Sequence, residues 1–157
     1  MDDADLNDEM ARMEREEEGR EAARDAIVAA ARSGQLADRL AGIWQDGDEL
    51  VVAVTSAPHD AERQLRAIAK TPLRVTVAKH LLSELESLCV AIWEEADRLG
   101  APLAATGVDE MENRATAMLE RLDLPASQAL QERFAGQPVQ WEEGTVVAVG
   151  RARRQRG

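Results

Sequence analysis

Cysteine and aromatic residues are scarce in this sequence, and their scarcity excludes several kinds of site. Cys89 is the only cysteine among the 157 residues, so no disulfide can form within the chain. One phenylalanine, three tryptophans and no tyrosine leave few flat rings on which nucleic-acid bases could stack. Because chains without disulfides are typical of a reducing compartment, we expect a cytoplasmic protein.

Long apolar runs are also missing. Apolar stretches cover only a few consecutive residues, whereas a helix needs roughly 20 to cross a bilayer. The start of the chain is rich in Asp and Glu, where a secretory signal would carry basic residues followed by an apolar segment. We therefore expect neither a membrane-spanning segment nor a secretory signal.

Motifs for metal binding, phosphate binding and nucleophilic catalysis are absent from the sequence. His59 and His80 are the only histidines, and no cysteine pair, His-Glu-x-x-His pattern or EF-hand loop accompanies them. Cys89 falls on the apolar stripe of a predicted helix, so we expect a buried and unreactive thiol. The sequence therefore predicts no catalytic residue, no bound cofactor and no metal site.

Ser56, His59 and Asp60 lie close together in the sequence and invite comparison with a catalytic triad. Ser-His-Asp sites are assembled from distant segments of a chain, and the Gly-x-Ser-x-Gly pattern of one common class is missing. We expect instead that Ser56 caps a helix beginning near Pro58, and that Asp60 places an acid in its first turn.

Charge is abundant and unevenly distributed. The chain has 30 acidic and 19 basic residues, which gives a formal net charge of -11. A net charge of this sign repels nucleic acid and anionic membranes, so we expect neither as a partner. Acids concentrate in Asp8–Glu18, whereas the last residues carry a basic cluster made of Arg151, Arg153, Arg154 and Arg156.

Hydrophobic spacing and turn residues predict the elements of the first hundred residues. Residues 5–31 favour a helix whose second half carries a narrow apolar stripe for packing. Leu6, Met10 and Met13 begin a heptad pattern that charged residues then interrupt. The later elements are a hairpin of 43–45 and 50–55 around Asp46-Gly47, a helix at 58–70, a strand at 73–78 and an amphipathic helix at 81–98. We expect the apolar stripe of this last helix, Trp93 included, to be core.

The second half of the chain repeats this order. Strands are predicted at 104–108 and 115–122, a helix at 125–135, and a terminal hairpin of 138–141 and 145–149. Gly42 and residues 50–54 align with Gly107 and residues 115–119 at an offset of 65, which indicates an internal repeat. The predicted fold is α+β, with two repeated ββαβ-like units bridged by a long amphipathic helix and preceded by an acidic N-terminal helix.

Four segments follow from this organisation. At 157 residues the chain is long enough for one ordinary core or for two small lobes. We assign residues 1–34 to an acidic helical segment, 35–102 to a first ββαβ lobe with the bridging helix, 103–150 to a second ββαβ lobe with the C-terminal hairpin, and 151–157 to a basic tail without regular structure.

The order of these elements resembles that of a known family. The segments that carry the resemblance are residues 50–55, the helix at 58–70, Val75-Thr76-Val77, the Leu-rich helix, and Gly107-Val108-Asp109 followed by Asn113. With these segments the chain resembles the pro-regions of alpha-lytic-type (streptogrisin-like) serine proteases. The likeness covers about residues 42–149. It implies a two-lobed, sheet-containing scaffold that works by binding another protein, since those pro-regions fold and inhibit their protease. It supplies no catalytic residues.

These observations predict a non-enzymatic intracellular module that binds or regulates another protein through sheet edges and charged ends. The expected partner-binding residues are the cationic Arg151, Arg153, Arg154 and Arg156, together with Trp44 and Trp141 as exposed anchors on short or edge strands. The alternative for both tryptophans is burial as cover for the lobes. The alternative function is a small enzyme whose carboxylates are brought together by the fold, with Asp46, Asp48 and Glu49 near Asp109 and Glu110.

Overall fold

The structure is a computed structural model that describes residues 2–146, and the chain divides between Ala78 and Lys79 into two compact units. The first unit opens with the helices α1, Asp3–Ala31, and α2, Gly34–Ala37. These helices are followed by β1, Leu40–Asp46, β2, Glu49–Val54, α3, Pro58–Arg66, and β3, Leu73–Val77. The three strands form one sheet in the order β1-β2-β3.

The second unit has the same arrangement. Its elements are α4, Leu82–Leu99, β4, Leu103–Asp109, β5, Arg114–Leu119, α5, Pro125–Arg133, and β6, Val139–Glu143. In each unit the first two strands pair antiparallel as a hairpin, and the third strand returns parallel to the second after a helical crossover. The predicted α+β fold with two ββαβ-like units and a long helix between them in sequence is therefore confirmed.

The repeat extends to details of strand register. Both hairpins contain a β-bulge at the same place, between Leu40 and Gly42 and between Leu103 and Ala105. The predicted equivalence of Gly42 with Gly107 is wrong by two residues, because Gly42 corresponds to Ala105. The turn of the second hairpin is two residues longer than the Gly47-Asp48 turn of the first, which changes the offset across the hairpin.

The repeat also includes the helix that precedes each hairpin. Ile27 and Ala31 of α1 are fully buried, and Ile92 and Ala96 of α4, 65 positions later, are fully buried as well. Ile92 and Ala96 pack in one cluster with buried residues of β5 and α5. Helix α4 thus lies in the second unit, whereas the first lobe predicted at 35–102 includes it.

The two central strands are buried to different degrees. All residues of β2 from Leu50 to Val54 are at most 4% exposed, as expected for a continuous apolar run with both faces covered. In β5 the buried Ala115, Ala117 and Leu119 alternate with half-buried polar or flexible residues. The alternation in the sequence of β5 therefore marks a sheet with one less protected face.

Two expectations about individual segments need correction. Trp93 is not core: it is 40% exposed, and its Nε1–H donates a hydrogen bond of 2.8 Å to Thr106 Oγ1. A packed helix buries a stripe about 100° wide on one face, and the predicted apolar stripe from Leu81 to Leu99 is wider than that. In the terminal hairpin, Thr145 and Val146 are not in a strand, and the rest of its predicted second strand lies outside the described residues.

Helix α4 offers a direct test of the packing in the second unit. Replacing Leu85, which is 1% exposed, by Asp would bury a carboxylate without a partner. We expect Leu85→Asp to lower the free energy of unfolding by about 3–5 kcal/mol in urea denaturation followed by circular dichroism. The matched control is Val90→Asp on the same helix, because Val90 is 57% exposed and should tolerate the charge. Equal stability of the two variants would contradict this orientation of α4.

Candidate protein-binding surfaces

Most of helix α1 makes no packing contact within its unit. Between Asp3 and Ala22 every side chain is exposed except that of Ala11, which is half-buried. Burial begins only in the last turns, where Ile27 and Ala31 are inaccessible to solvent. The prediction that the second half of this helix packs is therefore confirmed for its last turns, but Ala22 and Ala26 in the same half are exposed.

Comparison of the two repeats shows how much of α1 the unit requires. Helix α4 begins at Leu82, which corresponds to Glu17 of α1, and its buried Leu85 corresponds to Arg20. The stretch Asp3–Glu16 therefore has no counterpart in the second repeat. We call this stretch the N-terminal extension; it contains six acidic and two basic residues, a net charge of -4.

The N-terminal extension exposes three large apolar side chains. Leu6 is 46% exposed, Met10 52% and Met13 58%, and their spacing of four and three residues places them on one face of the helix. We call these three residues the apolar seam. The seam ends at Glu17, whose carboxylate pairs with Arg20 at 3.1 Å and with Arg24 at 3.2 Å.

The structure places the two tryptophans proposed as anchors in different units. Trp44 lies on β1 opposite Val51 and is half-buried. Trp141 lies on β6, is half-buried and packs against the core cluster of the second unit. Their role in binding stays a prediction, and the cationic cluster formed by Arg151, Arg153, Arg154 and Arg156 lies outside the described residues.

Each sheet ends in a parallel edge strand, β3 or β6. The Leu50 N–H donates a hydrogen bond to Pro72 O, and the Ala78 N–H donates one to Val54 O. Every second residue of β3 therefore directs its backbone N–H and C=O groups toward β2. By this alternation the backbone groups of Val75 and Val77 point to the outer edge. Within residues 2–146 no strand pairs with that edge, and Val77 is 60% exposed.

Three of the carboxylates considered for an enzyme site form hydrogen bonds within their own unit. In the first unit Arg74 bridges two of them: its Nε lies 2.8 Å from Glu49 Oε1, and its Nη2 lies 3.2 Å from Asp46 Oδ2. The hydrogen bond to Glu49 raises the pKa of Arg74. Asp109 belongs to the second unit, where its Oδ1 accepts a hydrogen bond from the backbone N–H of Glu112 at 3.1 Å.

The segment containing Ser56, His59 and Asp60 forms no triad. Asp60 accepts hydrogen bonds from Arg39 at 2.9 Å and Gln64 at 3.0 Å, and the bond from Arg39 lowers the pKa of its carboxyl group. Asp60 lies in the first turn of α3, as predicted. The predicted cap is wrong: the N-cap residue is Ala57, in a left-handed conformation at φ 49°, without a side-chain hydrogen bond.

Cys89 and His80 are held by backbone contacts in the second unit. The half-buried Cys89 thiol lies 3.3 Å from Gly107 O, and burial raises its pKa, which lowers the reactive thiolate fraction. The side chain of Asn113 binds the backbone of His80 through two hydrogen bonds. Asn113 Oδ1 accepts from the His80 N–H at 2.7 Å, and Asn113 Nδ2 donates to the His80 carbonyl oxygen at 2.8 Å. Within the described part of the chain, His, Cys, Asp and Glu form no group of three that could hold a metal ion.

Two further findings bear on the kind of protein. Over residues 2–146, no helix is both long enough and apolar enough to cross a membrane. Comparison with protein-family models and with curated proteins finds no match for this chain.

The Asp60 contacts predict a measurable titration. Because the folded-state pKa of Asp60 is lowered, its contribution to stability is present above the unfolded pKa and is lost as the pH falls through the folded pKa. We expect Arg39→Gln to raise the pKa of Asp60, measured by NMR titration of its carboxyl carbon. Arg63→Gln is the control with the smaller expected effect, because Arg63 is 80% exposed and its contact is longer, 3.4 Å. A larger shift from Arg63→Gln would contradict this assignment.

Proposed function

We propose that this chain is a non-enzymatic protein-binding module and that the N-terminal extension is its docking element. The observation that supports the proposal is the exposed continuation of α1 beyond the part that its unit packs. The second repeat builds the same unit without such a continuation. Because this stretch exposes three large apolar side chains to water, we infer that its contacts lie outside the unit.

The chemistry of the N-terminal extension favours a protein as the partner. Leu6, Met10 and Met13 expose apolar side chains to water, and burying them against a partner is favourable. The surrounding acids repel the phosphates of nucleic acids and of anionic lipids. A protein surface can satisfy both features at once, with apolar contacts in the centre and charged contacts at the rim.

The other features predicted from the sequence fit this function as secondary surfaces. The outer edge of β3 can accept an extended segment through its backbone groups, which is a common mode of peptide recognition. Trp44, Trp141 and the four arginines of the tail are kept in this proposal as additional contacts. The enzyme alternative has less support, because Asp46 and Glu49 are ion-paired with Arg74.

The resemblance to alpha-lytic-type pro-regions would supply one mode of action. Those pro-regions bind a protein through a two-lobed scaffold, and the chain has two units of one topology. We keep binding of another protein from this resemblance as part of the proposal, together with a cytoplasmic location.

Deletion of residues 2–16 separates binding from folding. The segment contributes no buried side chain, so we expect the thermal unfolding transition to stay within about 2 °C of the full chain. Affinity capture from the native cell should lose its specific partner. The control replaces Arg151, Arg153, Arg154 and Arg156 with Ser; it changes charge at the other end and tests the tail separately. Capture that survives the deletion would reject the N-terminal extension as the docking element.

A further inference from the structure

The apolar seam is flanked by acids on both sides. With Leu6 and Met13 at d positions and Met10 at an a position of a heptad, the g positions are Glu9 and Glu16, and the e positions are Asn7 and Glu14. These flanking positions are the ones that face a partner helix in a coiled coil. Among residues 2–146, neither Glu9 nor Glu14 takes part in an ion pair.

The two basic residues of the N-terminal extension lie away from the seam. Arg12 falls at c and Arg15 at f, on the outer side of the helix. Arg12 lies 3.9 Å from Glu16, and both side chains are more than 60% exposed, so this pair neutralises the acidic flank only weakly. The face that includes the seam is therefore apolar in its centre and negative on both sides.

We propose, on the basis of the function proposed above, that the partner presents a basic amphipathic helix which packs along the apolar seam. Leu6, Met10 and Met13 insert between apolar residues of that helix, as knobs into holes. Its Lys or Arg residues at the flanking positions pair with Glu9 and Glu14. The seam covers seven helical rises from Leu6 to Met13, about 10 Å, so two to three turns of the partner are in contact.

Charge argues against a second copy of the chain as the occupant. Two seams packed on each other, parallel or antiparallel, would bring the acidic flanks of both helices together, and like charges at these positions are destabilising. The heptad pattern also ends at Glu17, which Arg20 and Arg24 hold. A self-paired helix would therefore have three apolar layers and strong repulsion.

The experiment titrates the full chain with a 21-residue synthetic peptide. The peptide has Leu at a and d, Lys at e and g, and Ala or Gln elsewhere, so that its own charges oppose self-association. Binding is measured by fluorescence anisotropy, and the gain of helix by circular dichroism. Two control peptides are used: one keeps the composition but distributes the leucines around the helix, and the other has Glu at e and g.

Substitutions in the full chain test the seam itself. The variant Leu6→Gln/Met10→Gln/Met13→Gln keeps side-chain length and helix propensity but removes the apolar surface. We expect it to weaken peptide binding at least about tenfold, a change of 1.4 kcal/mol. The matched control is Ala4→Gln, which changes an exposed residue on the opposite face and should stay within about twofold. Raising the salt concentration should weaken binding of the Lys peptide, because it screens the acidic flanks.

Each of the following results would overturn the inference. Equal binding of the peptide with dispersed leucines, or of the triple Gln variant, would reduce the interaction to bulk charge attraction. Equal binding of the Glu peptide would remove the role of the acidic flanks, and dimerisation of the chain through the seam would identify a second copy as the occupant. If no peptide binds but deletion of residues 2–16 still abolishes capture from cells, this inference fails while the proposed function stands.

Discussion

Burial of a helix face is the constraint on which each unit depends. Ile27 and Ala31 in the first unit, and Ile92 and Ala96 in the second, are removed from water at equivalent positions. Burying a side chain of isoleucine size contributes about 1.5–3 kcal/mol, a large share of the net stability of a small unit. In the second unit, residues of the hairpin, the crossover helix and the returning strand pack against Ile92 and Ala96 of α4. The strands of the two units pair in the same register around their central strands.

The same constraint explains where α1 leaves its unit. At the positions where α4 presents Leu82 and Leu85, α1 carries Glu17 and Arg20, and charged groups of this kind are not buried without partners. Helix α1 nevertheless continues toward Asp3. Its Ala, Met, Glu and Arg residues have high helix propensity, its side chains form local ion pairs, and Asp3 and Asp5 lie in the first turn, where acids stabilise a helix. Packing of α1 therefore stops near Glu17 and Arg20, and the stretch before them has a free face.

Sequence patterns predicted the order and type of the elements, because the periods of strands and helices differ and proline and glycine mark most boundaries. The errors came from geometry that spacing does not contain. The longer turn of the second hairpin makes Gly42 equivalent to Ala105 and not to Gly107. Trp93 lies outside the buried face of α4, and the N-cap of α3 is Ala57 where Ser56 was expected. Leu6, Met10 and Met13 were visible as a heptad fragment, but only the three-dimensional structure shows that nothing in their own unit covers them.

The continuous apolar strand β2 has a consequence for the newly made chain. Residues 50–54 combine high β-propensity with no charge, and this is the composition of segments that assemble into cross-β aggregates when unfolded. Asp48 and Glu49 stand immediately before the segment and act as gatekeepers, because their charge opposes stacking of identical strands. Early formation of the hairpin that buries β2 therefore protects the newly made chain, because the segment is then no longer exposed to other chains.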